Sequence, residues 1–371
     1  MIDTVVLLLS SDSFKITSTD KFVPSARWIT NTSFSAVHGM QSKQNPTKKE
    51  LAAGIYKPRL TLFYSIPHKQ VMLKVELSLP KLFYGNNFQE LKGKDLQPLL
   101  SKLSDTLGQM EVIVDPKQLS KAHVSSVHYS KNIKLTDGST PYHYIQKIKE
   151  SNIKMSLDVN QTDYRNEGHS FKWHCNSYEV IFYDKIKDLE KAKQSEKRAI
   201  EKDNAIQLHL FPELRKSNKL EILRMEVRLN KRQKMKQLFS KLDIKSDLSL
   251  KSLFKPAISK KVLLHYMDEL ESKRPALLNF KTIDDKALLT TLILNNPELS
   301  AKKIMQIYGL SKALAIMDAR ELRGMLGKHN QRSWQQITTQ ANEIKLPNAQ
   351  SPLWFIKKHI SQFKSLNFKK V

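Results

Sequence analysis

In the segment HCNSYEVIFYDKIKDLEKAK a strand-like run ends at Tyr183, and a run of helix formers begins at Asp184. A tyrosine at such a junction stands where backbone N–H groups and a helix N-terminus favour a phosphate. Its hydroxyl could attack a phosphodiester and leave a phosphotyrosine, and Lys185 alongside could offset the charge of a phosphorane-like transition state. A second segment, EILRMEVRLNKRQK, alternates in character. As a strand over Leu223–Leu229 it would put Arg224, Glu226 and Arg228 on one face, opposite Leu223, Met225, Val227 and Leu229. There Glu226 would bind a divalent metal and the arginines a DNA backbone. The plainer alternative is a salt-bridged, solvent-exposed strand face.

Other chemistries lack their residues. The chain has no GxxxxGK[ST] phosphate loop, no Rossmann glycine fingerprint, no GxSxG elbow and no HExxH pair. Its eleven histidines never bracket a single hydrophobic residue, which is the metal-binding pattern of the common HUH nickases. The single cysteine, Cys175, excludes an internal disulfide framework and cysteine-rich zinc sites, and fits a reducing cytoplasm.

The elements that must position these residues follow from periodicity. Strand-like runs fall at Thr4–Leu9, Arg59–Tyr64, Val71–Leu79, Val124–Tyr129, Ser177–Tyr183 and Leu223–Leu229. In VMLKVELSL, Val71, Leu73, Val75, Leu77 and Leu79 share one face, as antiparallel strands with one face on a core require. Helical spacing marks Leu96–Leu107 and Pro141–Lys149, and Asp184–Asp203 is dense in helix formers and opposite charges. From about Leu238 the texture turns helical. Ser300–Gly327 predicts two or three short helices separated near Gly309, one version of which is a DNA-reading helix-turn-helix. The tail SPLWFIKKHISQFKSLNFKKV suits either an amphipathic helix with a basic face or a grip on the DNA backbone. The expectation is an α+β protein with a sheet-based unit at 1–237 and a mainly helical unit for DNA binding or assembly at 238–371.

Charge names the partner class. With 62 Lys+Arg against 36 Asp+Glu, the formal net charge is +26, which attracts polyanions at long range. No stretch approaches the roughly 20 apolar residues that span a bilayer. Nucleic acid is therefore expected ahead of a membrane.

Six blocks in order over roughly residues 1–235 resemble the gene II/X family of phage and plasmid replication proteins: MIDTVVLLL, SLPKLFYGNNF, VSSVHYSKNIKLTDG, LDVNQTDYRNEG, NSYEVIFYDKIKDLEKAKQSEKRAIEKD and LRMEVRLN. The YDK followed by a charged helix, and the later RxExR, are also similar to initiators of small staphylococcal plasmids. The resemblance implies rolling-circle initiation: a nick in one strand of a double-stranded origin, Mg²⁺ or Mn²⁺ dependence, a phosphotyrosine link, and religation of the displaced single strand. It implies a host helicase and polymerase as partners in a bacterial cytoplasm, with room for a homodimer. Tyr129, Tyr164, Tyr178 and Tyr183 all lie in or near the blocks, and the resemblance selects Tyr183 as nucleophile, with equivalents for Lys185 and Glu226. Tyr178, five residues earlier, belongs on the opposite strand face. Where some relatives carry Asp this chain has His128, a candidate ligand or base that shifts preference toward Mn²⁺. Asp158 and Asp163 are further candidate ligands, and Asp3 is shared without a known role. Arg224, Arg228, Lys231 and Arg232 would hold the DNA backbone. The rivals are a non-enzymatic origin-binding protein or repressor, and a plasmid-mobilising relaxase with the same chemistry.

Overall fold

The computed structural model describes the chain except for residues 31–36, 152–161, 166, 195–219, 273–283, 318, 328–330, 347–350, 352 and 367–371. It is α+β, with a nine-stranded antiparallel sheet as its frame. The strands are β1 (Ile2–Ser10), β3 (Gln41–Gln44), β4 (Arg59–Ser65), β5 (Gln70–Ser78), β7 (His123–Lys134), β8 (Thr162–Arg165), β9 (Ser170–His174), β10 (Tyr178–Asp184) and β11 (Ile222–Leu229). Two short strands, β2 (Lys15–Ile16) and β6 (Val112–Ile113), pair apart from it. The sheet order is β3-β4-β5-β1-β7-β11-β10-β9-β8.

Period-two alternation gives this sheet two unlike faces. On one side Val5, Leu7, Leu9, Leu73, Val75, Leu77, Val127, Tyr129, Phe182, Leu223, Met225 and Val227 join a single buried cluster. Helices α2 (Leu96–Gln109), α3 (Pro141–Ser151), α5 (Arg232–Lys241), α6 (Pro256–Ser272) and α11 (Trp354–Gln362) add apolar side chains to that cluster. Burying Leu223, Met225, Val227 and Leu229 stabilises β11 by roughly 1.5–3 kcal/mol per side chain. The other side carries Thr4, Lys74, Glu76, His128, Arg228, Glu179, Lys172 and Tyr183 in the alternate positions, all half-buried.

Three expectations shift here. The boundary at 237/238 falls inside α5, and α6 and α11 belong to the sheet's core rather than to a separate unit. The helices with apolar clusters of their own are α7 (Asp285–Asn295), α8 (Ala301–Ile316), α9 (Ala319–Gly327) and α10 (Gln331–Glu343). Second, α8 runs unbroken through Gly309, because Ile304, Ile307 and Leu310 bury one face across it, and the helix stops at Met317. Third, Leu79 does not end β5 but opens α1 (Leu79–Tyr84), with Pro80 in its first turn. The tail helix α11 is amphipathic: Ile356 and Ile360 enter the core, and Lys357 bonds Asp268 and Glu271 of α6. Among the described residues no helix is long and apolar enough to cross a membrane.

Candidate active site

The polar side of the sheet gathers the chemistry. Antiparallel register sets Tyr183 opposite Arg224 and Asn132 opposite Arg224 on the other flank. Ile181, Glu226 and Ser130 form the next row, and Glu179, Arg228 and His128 the one after. Helix α4 (Lys185–Gln194) begins directly after β10, so Lys185 is delivered to the Tyr183 end of the face. Asp184 caps this helix by accepting from the backbone N–H groups of Ile186 and Lys187, at 2.9 and 3.0 Å.

Glu226 is the hub. Its carboxylate accepts from the Tyr183 hydroxyl at 3.4 Å and from Arg228 Nε at 2.8 Å, and His128 Nδ1 lies 3.5 Å away. Arg224 Nε is 3.6 Å from its second oxygen. Burial pushes this carboxyl up, but the Arg228 and Arg224 guanidiniums outweigh burial and hold it well below the usual carboxylate range. His128 is held below its ordinary value by burial and by Arg228, so it is neutral at neutral pH and free to act as a ligand or base. The Tyr183 phenol is pushed well above its ordinary range by burial, with Glu226 adding to the effect and Arg224 opposing it. A protonated phenol needs a base before it can attack, and Glu226 Oε2 is the acceptor at hand.

Arg224 departs from its expected role. It is 1% exposed, and its guanidinium lies 2.9 Å from Asp3 Oδ2 while donating to Asn87 O at 2.9 Å and Asn132 Oδ1 at 3.1 Å. A guanidinium so enclosed holds β1, β7, β11 and the loop after α1 together rather than a DNA backbone. The exposed salt-bridged strand face is corrected by the same facts, since Glu226 is also 2% exposed. Arg228 remains half-exposed, pairing with Glu226 and, at 3.3 Å, with Glu179. Lys231 and Arg232 are exposed at the start of α5. Lys231 lies seven positions after Arg224 and two beyond the end of β11, on the order of 20 Å at about 3.3 Å per residue, so both lie far from Tyr183.

Lys185 is as buried as Glu226. Its Nζ donates to Asn87 Oδ1 at 2.6 Å and sits 5.0 Å from the Phe88 ring centre and 6.0 Å from that of Tyr183. Burial, with Arg224 and Lys81 nearby, holds its ammonium down to about 7.

The remaining candidates divide. Tyr178 lies on the apolar side, stacked on Tyr266 of α6 at 5.5 Å between ring centres with Lys234 over its ring. Tyr129 is fully buried on that side, and Tyr164 pairs in register with Phe171 there. Asp163 stands on β8 in register with Lys172 of β9, three strands from β11, which carries Glu226. Asp158 lies outside the described residues. Asn87 and Asn132 are members of the site that residue type alone did not mark, and Asp3, whose role the sequence left open, is the partner of Arg224. Only the GNN tripeptide after a helix, with Gly85 left-handed at φ 74° as the helix stop, marked the first of them.

Glu226 Oε1 and His128 Nδ1 could serve as two ligands to a divalent cation if the Arg228 side chain turned outward. Mg²⁺ sites commonly use one or two protein groups and complete the shell with water and substrate phosphate, and the imidazole favours Mn²⁺. Among the described residues no cluster of three or more His, Cys, Asp or Glu forms a self-sufficient metal cage. Two such ligands would leave the rest of an ion's shell to water and to a substrate phosphate. Comparison with protein-family models, with curated proteins and with solved structures returns no match.

Proposed function

We propose that this chain nicks one strand of DNA through a phosphotyrosine at Tyr183 and later rejoins it, as a rolling-circle replication initiator. The reading is supported most by one observation: a tyrosine hydroxyl, a carboxylate, a neutral imidazole and a half-exposed guanidinium converge on one sheet face around Glu226. The resemblance of six ordered blocks to the gene II/X replication proteins, and the +26 charge, point the same way.

In this mechanism the DNA backbone crosses the polar sheet face, meeting Arg228 near the site and Lys231 and Arg232 beyond the end of β11, at the start of α5. Tyr183 donates its hydrogen bond to Glu226, which aims the phenol oxygen and takes its proton as the oxygen attacks phosphorus. The Tyr183 Oη–P bond forms as the P–O3′ bond breaks, and the Lys185 ammonium gives the leaving 3′-oxygen its proton. A phosphate drawing Arg228 away from Glu226 makes the carboxylate a stronger base at that moment. Glu226 and His128 would hold Mg²⁺ or Mn²⁺, which would withdraw charge from the scissile phosphate when bound. The freed 3′-hydroxyl would prime a host polymerase, with a helicase opening the duplex. Rejoining reverses these bond changes.

The test is incubation with a supercoiled plasmid carrying the chain's own gene and flanks, with Mg²⁺ or Mn²⁺. Nicked circles bearing a denaturation-resistant protein adduct are expected. A plasmid that is bound but never cut with either ion would instead make the chain an origin-binding protein.

A further inference from the structure

The loop after α1 is wired into the polar face more tightly than a connecting loop needs to be. Asn86 folds it by accepting from the backbone N–H groups of Phe88 and Gln89, at 3.1 and 3.0 Å. Asn132 of β7 clamps it, donating through Nδ2 to Asn87 O at 3.2 Å and Phe88 O at 2.9 Å. Glu90 continues the clamp by accepting from Asn132 N and Lys131 Nζ, each at 2.6 Å. Asn86, Asn87, Glu90 and Asn132 are all buried. The clamped loop presents two acceptors. The Asn87 backbone carbonyl takes Arg224, and the Asn87 side-chain oxygen takes Lys185.

The pairing with Lys185 is unusual because it is neutral. Among the described residues no carboxylate lies within ion-pair distance of this buried ammonium, and Asn87 Oδ1 is its hydrogen-bond acceptor. Burying a charge without an opposite charge is costly, and the acceptor this loop offers Lys185 is a neutral amide oxygen. The groups facing it are Arg224 of β11, Lys81 of α1, Asp3 of β1, Asp188 of its own helix and the Tyr183 ring of β10.

We infer that Asn87 is the positioning residue of this site: through a neutral side-chain oxygen it holds Lys185 beside Tyr183, unpaired, so that a phosphate and then the departing 3′-oxygen meet its N–H groups. The inference rests on the phosphotyrosine reading of Tyr183 and Lys185. A neutral acceptor leaves the proton transferable, whereas a carboxylate at the same place would lock it as an ion pair. That explains why an amide rather than an acid stands at position 87.

The experiment compares wild type, Asn87→Asp and Asn87→Ala, with thermal melts of each to establish folding. The primary readout needs no DNA: the pH dependence of reductive methylation of Lys185, followed peptide by peptide with mass spectrometry. Wild type should show a midpoint near 7, and Asn87→Asp a midpoint higher by at least one pH unit, because the new carboxylate favours the charged amine. Nicking by Asn87→Asp should fall several-fold at neutral pH, because the ion pair makes Lys185 a weaker acid, and the alkaline limb of its pH profile should move upward by a matching interval. Coincident methylation midpoints in wild type and Asn87→Asp would overturn the role of Asn87, whatever the nicking result. A displaced midpoint with no nicking by any form, wild type included, would leave the wiring standing and remove the nickase. If Asn87→Asp fails to fold, Asn87→Ala serves: loss of the acceptor should alter the Lys185 midpoint, and an unchanged midpoint overturns the proposal.

Discussion

Removing Arg224 should reveal a protein strut rather than a DNA contact. Arg224→Met preserves length and apolar stem but deletes a guanidinium that is 2.9 Å from Asp3, 3.6 Å from Glu226 and bonded to Asn87 and Asn132. Asp3, 6% exposed, would then keep the hydroxyls of Ser78 at 3.3 Å and Thr4 at 3.4 Å but lose its guanidinium. Removing one partner of a buried ion pair costs about 3–5 kcal/mol, and Arg228 left on Glu226 places the expected loss near the lower end. Asp3→Asn removes the opposing charge, so the double variant should recover part of that loss. A coupling of about 1–3 kcal/mol is expected for charges in direct contact. Urea denaturation of the four proteins, followed by circular dichroism and tryptophan fluorescence, measures it. Losses that add to within about 0.5 kcal/mol would refute the strut. So would an Arg224→Met protein of wild-type stability that fails only in DNA binding.

Other outcomes follow from the same contacts. Arg228→Gln should bind Mn²⁺ several-fold more tightly than wild type by Mn²⁺ paramagnetic resonance, because the guanidinium bonded to Glu226 at 2.8 Å no longer competes with the ion. Glu226 has a depressed carboxyl, so its contribution to stability is present above its unfolded value near 4.3 and is lost as pH falls below it. Glu226→Gln should accordingly flatten the acid limb of stability in melts between about pH 5 and pH 3. Tyr178→Phe should nick as wild type does in the plasmid assay, since this ring packs on Tyr266 across the sheet from the site. DNA affinity should fall linearly in log–log terms as salt rises, with a slope of about −0.9 for each phosphate neutralised, and Arg232→Ala should lessen that slope by about one.

Much of this architecture can be read from local pattern, because alternation records which side of a strand faces apolar neighbours. Leu223–Leu229 and Val71–Leu77 declare their buried side without help. What alternation cannot record is depth on the polar side. Arg224 and Glu226 look like a solvated pair from β11 alone, and they are buried because Asp3, Asn87 and Asn132 arrive from strands and a loop distant in sequence. Strands β3 and β8 have only four residues each, too few for an alternation to register, and owe their place to neighbours already in the sheet. Gly309 reads as a break by its own propensity, yet the buried stripe of Ile304, Ile307 and Leu310 outweighs roughly 1 kcal/mol of glycine cost. The helices α6 and α11 show an apolar face, but nothing local says that the face seeks the sheet rather than another helix.

The most direct measurement is the mass of the protein–DNA adduct after nuclease trimming and tryptic digestion. Tyr178 and Tyr183 share one tryptic peptide, Trp173–Lys185, so fragmentation of that peptide decides between them. A phosphodeoxynucleotide on Tyr183, absent from Tyr183→Phe together with nicking, is the expected result. A modified Tyr178, or a Tyr183→Phe protein that nicks at the wild-type rate, would contradict the assignment of Tyr183 as the nucleophile.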